Sequence, residues 1–250
     1  MKNINAGNFI FRAACIGALL SVIWIGSPAQ AVVISDTEFV TTDWAEQIVF
    51  NAQPVLPVFS VGRSATGGNP DAYRTIQHVY TGPGSMAVGH RFTKTSYDPS
   101  TQGAIATVDY NLDTLFVSQM GLSLPGAVGF SSAIFQNNSW YSTTLGTILP
   151  PFGVWNSFSN IGVAASDFNL LLGSGPAQPD FSGTGAVIQF GFMSSNGSAS
   201  GGQNTVTSGA DNFSVTINPA TIAEPGTLAL FGLGLLGLGV TRRRKVAKAA

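Results

Sequence analysis

The stretch that decides the fold is Phe213-Ser214-Val215-Thr216-Ile217, in which apolar side chains alternate with small polar ones. The same period of two recurs in residues 104–112 and 188–192. Alternation of this kind turns one face of a strand toward a core and the other toward solvent. Each of the three segments is therefore predicted to be a half-buried β-strand.

Turn-forming clusters separate the predicted strands, and no sustained helical periodicity appears between them. The clusters are residues 67–71, 81–84, 97–100 and 150–153. Short strands joined by frequent turns are typical of two packed antiparallel sheets. The predicted fold is an all-β antiparallel jelly-roll sandwich.

Residues 194–210 form the longest stretch without a strand pattern and are rich in Gly, Ser and Asn. Loops of this length are functional or disordered. The absence of aromatic and charged residues favours disorder here. The sequence therefore predicts a long irregular connection before the last strand.

Charge is unevenly distributed along the chain. Residues 32–223 contain eleven acidic and four basic side chains, a net charge of −7, while most bases lie near the two termini. An acidic body lacks the basic surface that binds phosphate backbones. Nucleic acid is therefore not an expected partner.

The N-terminus has the order of parts that an export signal needs. Lys2 and Arg12 precede an apolar run over residues 13–26, and small residues follow at Ala29 and Ala31. This pattern predicts cleavage by signal peptidase after Ala31. The alternative is an uncleaved membrane anchor, but the apolar run is short for a span of about 20 residues.

Cys15 is the only cysteine and lies inside this predicted signal. Arg12-Ala13-Ala14, the residues before it, do not form a lipoprotein box. The mature chain would then contain no cysteine, which excludes disulfides, thiolate metal sites and a cysteine nucleophile.

The C-terminus contains a second ordered arrangement. An Ala223-Glu224-Pro225 segment precedes an apolar run over residues 228–240, and Arg242, Arg243 and Arg244 follow. The uncharged stretch is long enough for a short membrane helix. A basic cluster beyond it is expected to stay in the cytoplasm.

These patterns predict five segments along the chain. They are a signal peptide (1–31), a β-sandwich domain (32–218), a linker with the Ala-Glu-Pro triad (219–226), a transmembrane helix (227–241) and a basic cytoplasmic tail (242–250).

The C-terminal arrangement resembles the PEP-CTERM sorting signal of Gram-negative bacteria, which is also catalogued as the C-terminal domain of ice-binding proteins. That signal consists of a Pro-Glu-Pro triad, a short Gly/Leu-rich helix and an Arg-rich tail. The resemblance covers residues 222–247 and includes Glu224, Pro225 and the three arginines, whereas Ala223 replaces the first proline of the triad.

The resemblance implies an exosortase as partner, a membrane enzyme that processes its substrates near the triad. It also implies delivery to the cell surface or the extracellular medium, in systems that accompany exopolysaccharide and biofilm formation. Signal peptidase and the membrane are the other expected partners.

The body is similar to galactose-binding-like jelly rolls, a superfamily that includes many carbohydrate-binding modules. The similar segments are residues 67–74, 97–105, 179–182 and 211–215. By this resemblance Asp211, at the start of the last strand, would help hold a structural calcium, with Asp43, Asp36 or Glu38 as partner ligands. The alternative is that Asp211 stabilises a turn; no other cofactor is expected.

Sugar-binding sandwiches use exposed aromatic side chains as stacking surfaces. Trp140, Tyr141 and Trp155 are the candidates, with Tyr73 and Tyr97 as further ones. The alternative is that most of these rings belong to the core, as large aromatics in a sandwich usually do.

Signals for catalysis are few. His78 and His90 lie twelve residues apart without an evident third metal ligand, and Asp109 and Asp113 share a strand face that is equally compatible with solvent. No nucleophile-elbow motif is present. We therefore expect a non-catalytic surface protein that binds carbohydrate; the alternative is a secreted polysaccharide hydrolase or lyase with the same sorting tail.

Overall fold

A computed structural model describes residues 30–53, 58–121, 126–199 and 202–220, together with Gly234. The predicted signal peptide, transmembrane helix and basic tail lie outside the described residues. Residues 29–221 make up one compact unit, and all three clusters of buried apolar side chains lie within it.

The described body is an antiparallel β-sandwich, which confirms the predicted fold class. Its strands are β1 (Val32–Asp36), β2 (Trp44–Asn51), β3 (Val58–Gly68), β4 (Asp71–Tyr80), β5 (Gly84–Phe92), β6 (Ile105–Gly121), β7 (Val128–Gln136), β8 (Ser139–Ile148), β9 (Trp155–Val163), β10 (Asn169–Leu172), β11 (Ile188–Ser198) and β12 (Asn204–Pro219). One short helix, α1 (Pro99–Gln102), follows β5.

The strands form two six-stranded sheets. Sheet I has the order β3-β4-β12-β6-β9, and its sixth strand, β1, also pairs with β12. Sheet II has the order β10-β8-β7-β11-β5-β2. In sheet I, β12 pairs with β6 along one edge and with two strands along the other. Its first half pairs with β4 and its second half with β1, so β1 and β4 follow one another along β12.

The main core lies between the two sheets. Phe190 and Phe192 of β11 face Tyr110 of β6 and Phe213 of β12, all almost fully buried. The alternating segments named above are confirmed as parts of β6, β11 and β12. Burial of each of these aromatic side chains contributes roughly 2 kcal/mol or more to folding.

The prediction of a long irregular connection over residues 194–210 is wrong. Ser194–Ser198 continues β11 and Asn204–Ala210 begins β12. Ser194, Asn196, Asn204 and Ser208 point inward as the apolar residues of these strands do. Polar residues at inward positions hide the alternation, because sequence patterns identify a strand face by its hydrophobicity.

Sheet II is strongly curved, since its two edge strands, β2 and β10, contain Cα atoms within 8 Å of each other. Its concave face points away from the main core and carries a second apolar cluster around Trp140. Both faces of sheet II are therefore partly filled with side chains.

Candidate carbohydrate-binding surface

Two aromatic rings lie next to each other on the outer face of sheet I. Tyr73 belongs to β4 and Trp155 begins β9, and their ring centroids are 5.4 Å apart at an interplanar angle of 85°. Both side chains are half-buried. We call this pair of partly exposed rings the aromatic platform.

The strands beneath the platform fix its position. Gly209 of β12 lies under Tyr73, and a Cβ atom there would be 2.9 Å from the phenol ring. Leu115 of β6 pairs directly with both Gly209 and Trp155. The indole Nε1 of Trp155 donates a hydrogen bond to the carbonyl of Gly67, 3.3 Å away. A glycine in the sheet thus makes room for the aromatic ring that crosses it.

Polar groups lie beside the platform where β1 ends and β4 begins along β12. The Asp113 carboxylate accepts hydrogen bonds from the side-chain amides of Asn69 (3.0 Å) and Asn212 (2.7 Å). Asp211 accepts the backbone N–H of Asn69. These contacts connect the β3–β4 turn to the bulge at Asn212, where φ is +49°.

The electrostatics of this cluster are governed by burial. Burial raises the pKa of Asp211, the backbone N–H groups of Asn69 and Asn212 counteract this, and the charges of Asp113 and Asp36 raise it further. A carboxylate that accepts two N–H donors can remain ionised although it is buried. The Asp211 carboxylate thus connects the turn at Asn69 to the bulge at Asn212.

On the other side of the platform the outer face of sheet I is lined by neutral polar side chains. Thr75 and Gln77 of β4 lie beside Gly209 and Thr207 of β12 in the paired register. All three polar side chains are half-buried. The surface thus combines aromatic rings with hydroxyl and amide groups, the mixture of contacts that orients a bound sugar.

Trp140 and Tyr141 do not belong to this surface, which corrects their assignment as ligand-stacking residues. They are 2% and 1% exposed, respectively. Tyr141 faces the main core between the sheets, and Trp140 faces the concave side of sheet II. Adjacent residues of a strand point to opposite faces, and here both faces are covered. Tyr97, a further candidate, is also buried.

Trp140 reaches across the concave face of sheet II. Its indole Nε1 donates to Oε1 of Gln47 at 2.9 Å, and its ring meets Phe135 edge-on at 5.4 Å. Arg91 stacks over the Phe135 ring, with its guanidinium carbon 4.0 Å from the centroid. The middle of this face is therefore occupied by the protein's own side chains.

The two predicted calcium ligands have other partners in this structure. Oδ2 of Asp43 pairs with Nζ of Lys94 at 2.9 Å, and Asp211 accepts backbone N–H groups. Among the described residues no group of three or more acidic, histidine or cysteine side chains is placed to hold a metal ion. Calcium binding by Asp43 and Asp211 therefore stays a prediction.

A chain of buried polar groups crosses the core between the sheets, and sequence reasoning missed it. It begins with Glu46 of β2 and Arg74 of β4, which form a salt bridge. It continues through His90, Ser194 and His78 to Asn196 and Tyr80. Ser194 and Asn196 indicate this chain of polar groups only after residues 188–198 are recognised as a strand that turns both side chains inward.

The C-terminal tail lies outside the described residues, and within the described part of the chain no helix has the length and apolarity to cross a membrane. Only sequence comparison characterises the tail. A comparison with curated proteins found no match.

Among solved structures, the chain is similar to a family 11 carbohydrate-binding module from Clostridium thermocellum in complex with a β-1,3-1,4-mixed-linked tetrasaccharide. The identity is 11%, the alignment covers 76% of this chain and 98% of that one, and the TM-score is 0.39.

A second similar structure is the CBM22-2 xylan-binding domain from Paenibacillus barcinonensis Xyn10C, with 9% identity, coverage of 75% and 99%, and a TM-score of 0.38. Similarity at this level assigns no ligand to this chain.

The family comparison matches the tail. Its residues include Glu224, Pro225 and the arginines at 242–244, in the order that the sequence analysis singled out. Residues 221–245 match the PEP-CTERM protein-sorting motif, which indicates that this chain is exported and sorted at the membrane through its C-terminus.

Proposed function

We propose that the body is a non-catalytic surface or matrix protein that binds polysaccharide on the outer face of sheet I. The observation that carries this proposal is the aromatic platform of Tyr73 and Trp155 beside fixed amide and carboxylate groups. Sugar rings offer C–H faces to aromatic rings and hydroxyls to planar polar groups. The platform provides both kinds of contact within one surface.

The charges favour an uncharged polysaccharide as ligand. Arg63 and Lys94 pair with Glu38 and Asp43, and Arg74 is buried. Arg91, the remaining base of the body, lies over Phe135 on sheet II. No described base is therefore free beside the platform to pair with an acidic sugar, while Asp113 lies close to it.

The arrangement favours binding over hydrolysis. A glycosidase needs two carboxyl groups that face the scissile bond. Asp113 and Asp211 instead accept N–H groups from Asn69 and Asn212, and Asp211 is fully buried. A hydrolase or lyase remains the second candidate, and it predicts release of soluble products.

The proposed function includes processing of both ends of the chain. Signal peptidase removes residues 1–31, residues 227–241 hold the protein in the inner membrane, and an exosortase-type enzyme acts near Glu224. The body then reaches the cell surface or the medium. The match to the sorting motif supports the last two steps.

The test is a binding assay with residues 32–220, the compact unit that contains all three apolar clusters. Retention on immobilised uncharged glucans and xylans is compared for the parent and for Trp155→Ala and Tyr73→Ala. Each substitution is expected to weaken binding about tenfold, or about 1.4 kcal/mol. Ile161→Ala, a highly exposed position on the same strand, is the matched control.

Equal retention of the parent and the three variants would contradict the proposal that the aromatic platform binds sugar. Soluble product that accumulates with the parent protein would favour the hydrolase or lyase instead.

A further inference from the structure

Strand β4 carries Tyr73 of the aromatic platform on its outer face and polar side chains on its inner face. Its five buried positions alternate with less buried ones, and three of the five are polar: Arg74, His78 and Tyr80. Adjacent residues of a strand point to opposite faces. The contacts that hold these inward side chains therefore also hold the strand to which Tyr73 belongs.

Sheet II binds the first and the last of these three side chains. Arg74 forms a salt bridge with Glu46 of β2, and its Nε donates a hydrogen bond to Nδ1 of His90 of β5 at 3.4 Å. The hydroxyl of Tyr80 donates to the backbone carbonyl of Asn196 of β11 at 2.7 Å. Polar contacts thus attach β4 to the opposite sheet at positions where a sandwich core is normally apolar.

The partners at the two ends determine where the imidazoles between them carry their protons. A guanidinium can only donate, so Nδ1 of His90 accepts from Arg74 and Nε2 of His90 carries the proton. Oδ1 of Asn196 can only accept, and it lies 2.6 Å from Nδ1 of His78. Nδ1 of His78 therefore carries the proton of that ring, and its Nε2 is an acceptor.

The hydroxyl of Ser194 satisfies both rings in a single orientation. Its Oγ accepts from Nε2 of His90 at 3.0 Å and donates to Nε2 of His78 at 3.2 Å. Each contact from Arg74 to Asn196 then joins one donor to one acceptor. We call these five residues, Arg74, His90, Ser194, His78 and Asn196, the histidine network.

An added proton breaks the histidine network wherever it binds. On His78 it binds Nε2, so the Ser194 hydroxyl accepts from both rings and its own hydrogen loses its acceptor in the network. On His90 it binds Nδ1, which then faces the Nε–H of Arg74. A buried donor without an acceptor has lost its hydrogen bond to water and gained none in return. The network is therefore complete only while both rings are neutral.

The surroundings of the network offer no further acceptor. Nη1 of Arg74 and Nδ2 of Asn196 are buried donors that already lack a partner among the described residues. Of the described carboxylates, those of Glu46 and Asp36 act on Arg74. Burial raises the pKa of Tyr80, the remaining titratable group beside the network, so its phenol stays neutral. A second imidazole proton thus meets donors and a cation.

We propose that the histidine network regulates the aromatic platform: uptake of a proton by His78 loosens the attachment of β4 to sheet II and weakens glycan binding in acid. The glycan part of this proposal rests on the proposed function, whereas the switch itself does not. The sorting motif indicates export, and an exported body meets the pH of the medium directly.

Nitrogen-15 NMR of the body 32–220 tests the proton positions and the link to Tyr73 without any glycan. At pH 7 we expect protons on Nε2 of His90 and on Nδ1 of His78. On acidification, part of the shift of the Tyr73 backbone amide should follow the His78 ring and be lost in His78→Gln, which keeps every carboxylate. The amide of Thr147 in β8 is the control and should not follow the ring.

Three NMR results would overturn the proposal. The first is a proton on Nε2 of His78 at pH 7, which the parent protein alone reveals. The second is a Tyr73 amide that does not respond to titration of His78. The third is an equal response of Thr147, because the whole body would then be unfolding instead of β4 loosening.

Retention on immobilised glucan or xylan from pH 7 to pH 4 tests the regulation. The parent should lose retention about tenfold over this range, and His78→Gln roughly threefold or less. Asp180→Asn, which removes a carboxylate that accepts only the nearby N–H of Ser182, is the matched control and should behave as the parent. Equal losses for the parent and His78→Gln would contradict the regulation. Absence of retention at every pH would contradict the proposed function instead, while the NMR measurement still decides the switch.

Discussion

The imidazoles of His78 and His90 belong to opposite sheets and contact the same hydroxyl group. Oγ of Ser194 lies 3.0 Å from Nε2 of His90 and 3.2 Å from Nε2 of His78. Nδ1 of His78 lies 2.6 Å from Oδ1 of Asn196. Because both rings are buried, this contact stabilises the sandwich only while the rings remain neutral.

Acid is therefore expected to destabilise the fold. Burial lowers the pKa of His78 from 6.5 to about 4, despite its hydrogen bond to Asn196. Between pH 6.5 and about pH 4 the unfolded chain binds a proton at His78 that the folded chain does not bind. The free energy of unfolding therefore decreases as the pH decreases, by on the order of 3 kcal/mol for His78. Burial, then the charge of Arg74, also lowers the pKa of His90.

Urea denaturation from pH 7 to pH 4 measures this effect, and His78→Gln is the comparison. The variant should lose part of the pH dependence, since glutamine does not titrate. If the free energy of unfolding changed equally with pH in the two proteins, His78 would have to be solvated in the folded state.

Removing one partner of the buried ion pair is expected to cost more than removing both. The Arg74 side chain is 0% exposed and is paired with Glu46. Glu46→Leu leaves a buried guanidinium without its carboxylate, at a cost of about 3–5 kcal/mol. The double variant Glu46→Leu, Arg74→Met should recover part of this loss in chemical denaturation. A double variant as unstable as the sum of the single ones would show that the pair does not act as a unit.

Gly209→Ala is expected to weaken sugar binding while the protein remains folded. The new methyl group would lie 2.9 Å from the Tyr73 ring, which must move away from Trp155. Retention on the best-bound glycan should fall by several-fold. Gly183→Ala is the control, because nothing lies within 4 Å of the added methyl group. Unchanged retention of the Gly209 variant would show that Tyr73 is not part of the binding surface.

Gly89→Ala should destabilise the fold without touching the platform. An added Cβ would lie 2.7–2.9 Å from ring atoms of Trp140, whose position is fixed by Phe135 and Gln47. Overpacking of this kind costs about 1–3 kcal/mol. Thermal unfolding of the body measures the effect, and Trp140→Phe in the same background should relieve it. A stable single variant would mean that the indole moves freely on the concave face.

The sorting tail predicts a mass change in the native host. The protein recovered from envelope and medium should lack residues 1–31 and end near Glu224. Glu224→Ala, Pro225→Ala should block the second truncation, because it removes the two residues of the triad that match the motif. A full-length C-terminus in both proteins would show that the tail is an ordinary membrane anchor.

The sequence by itself determined the strands whose inward positions are apolar, such as β6 and the second half of β12. It also determined the sorting tail, because the order of triad, apolar run and arginines is local along the chain. Where inward positions are polar, as at Ser194 and Asn196, the alternation was invisible and a strand was predicted as a loop.

Only the tertiary structure decided which aromatic rings face solvent. Trp140 and Trp155 both lie in strands, and nothing local distinguishes them. The curvature of sheet II covers Trp140, whereas pairing of β9 with β6 places Trp155 beside Tyr73 from a distant strand. Burial depends on neighbours that are far apart in sequence, and no periodicity records which sheet will curve around a side chain.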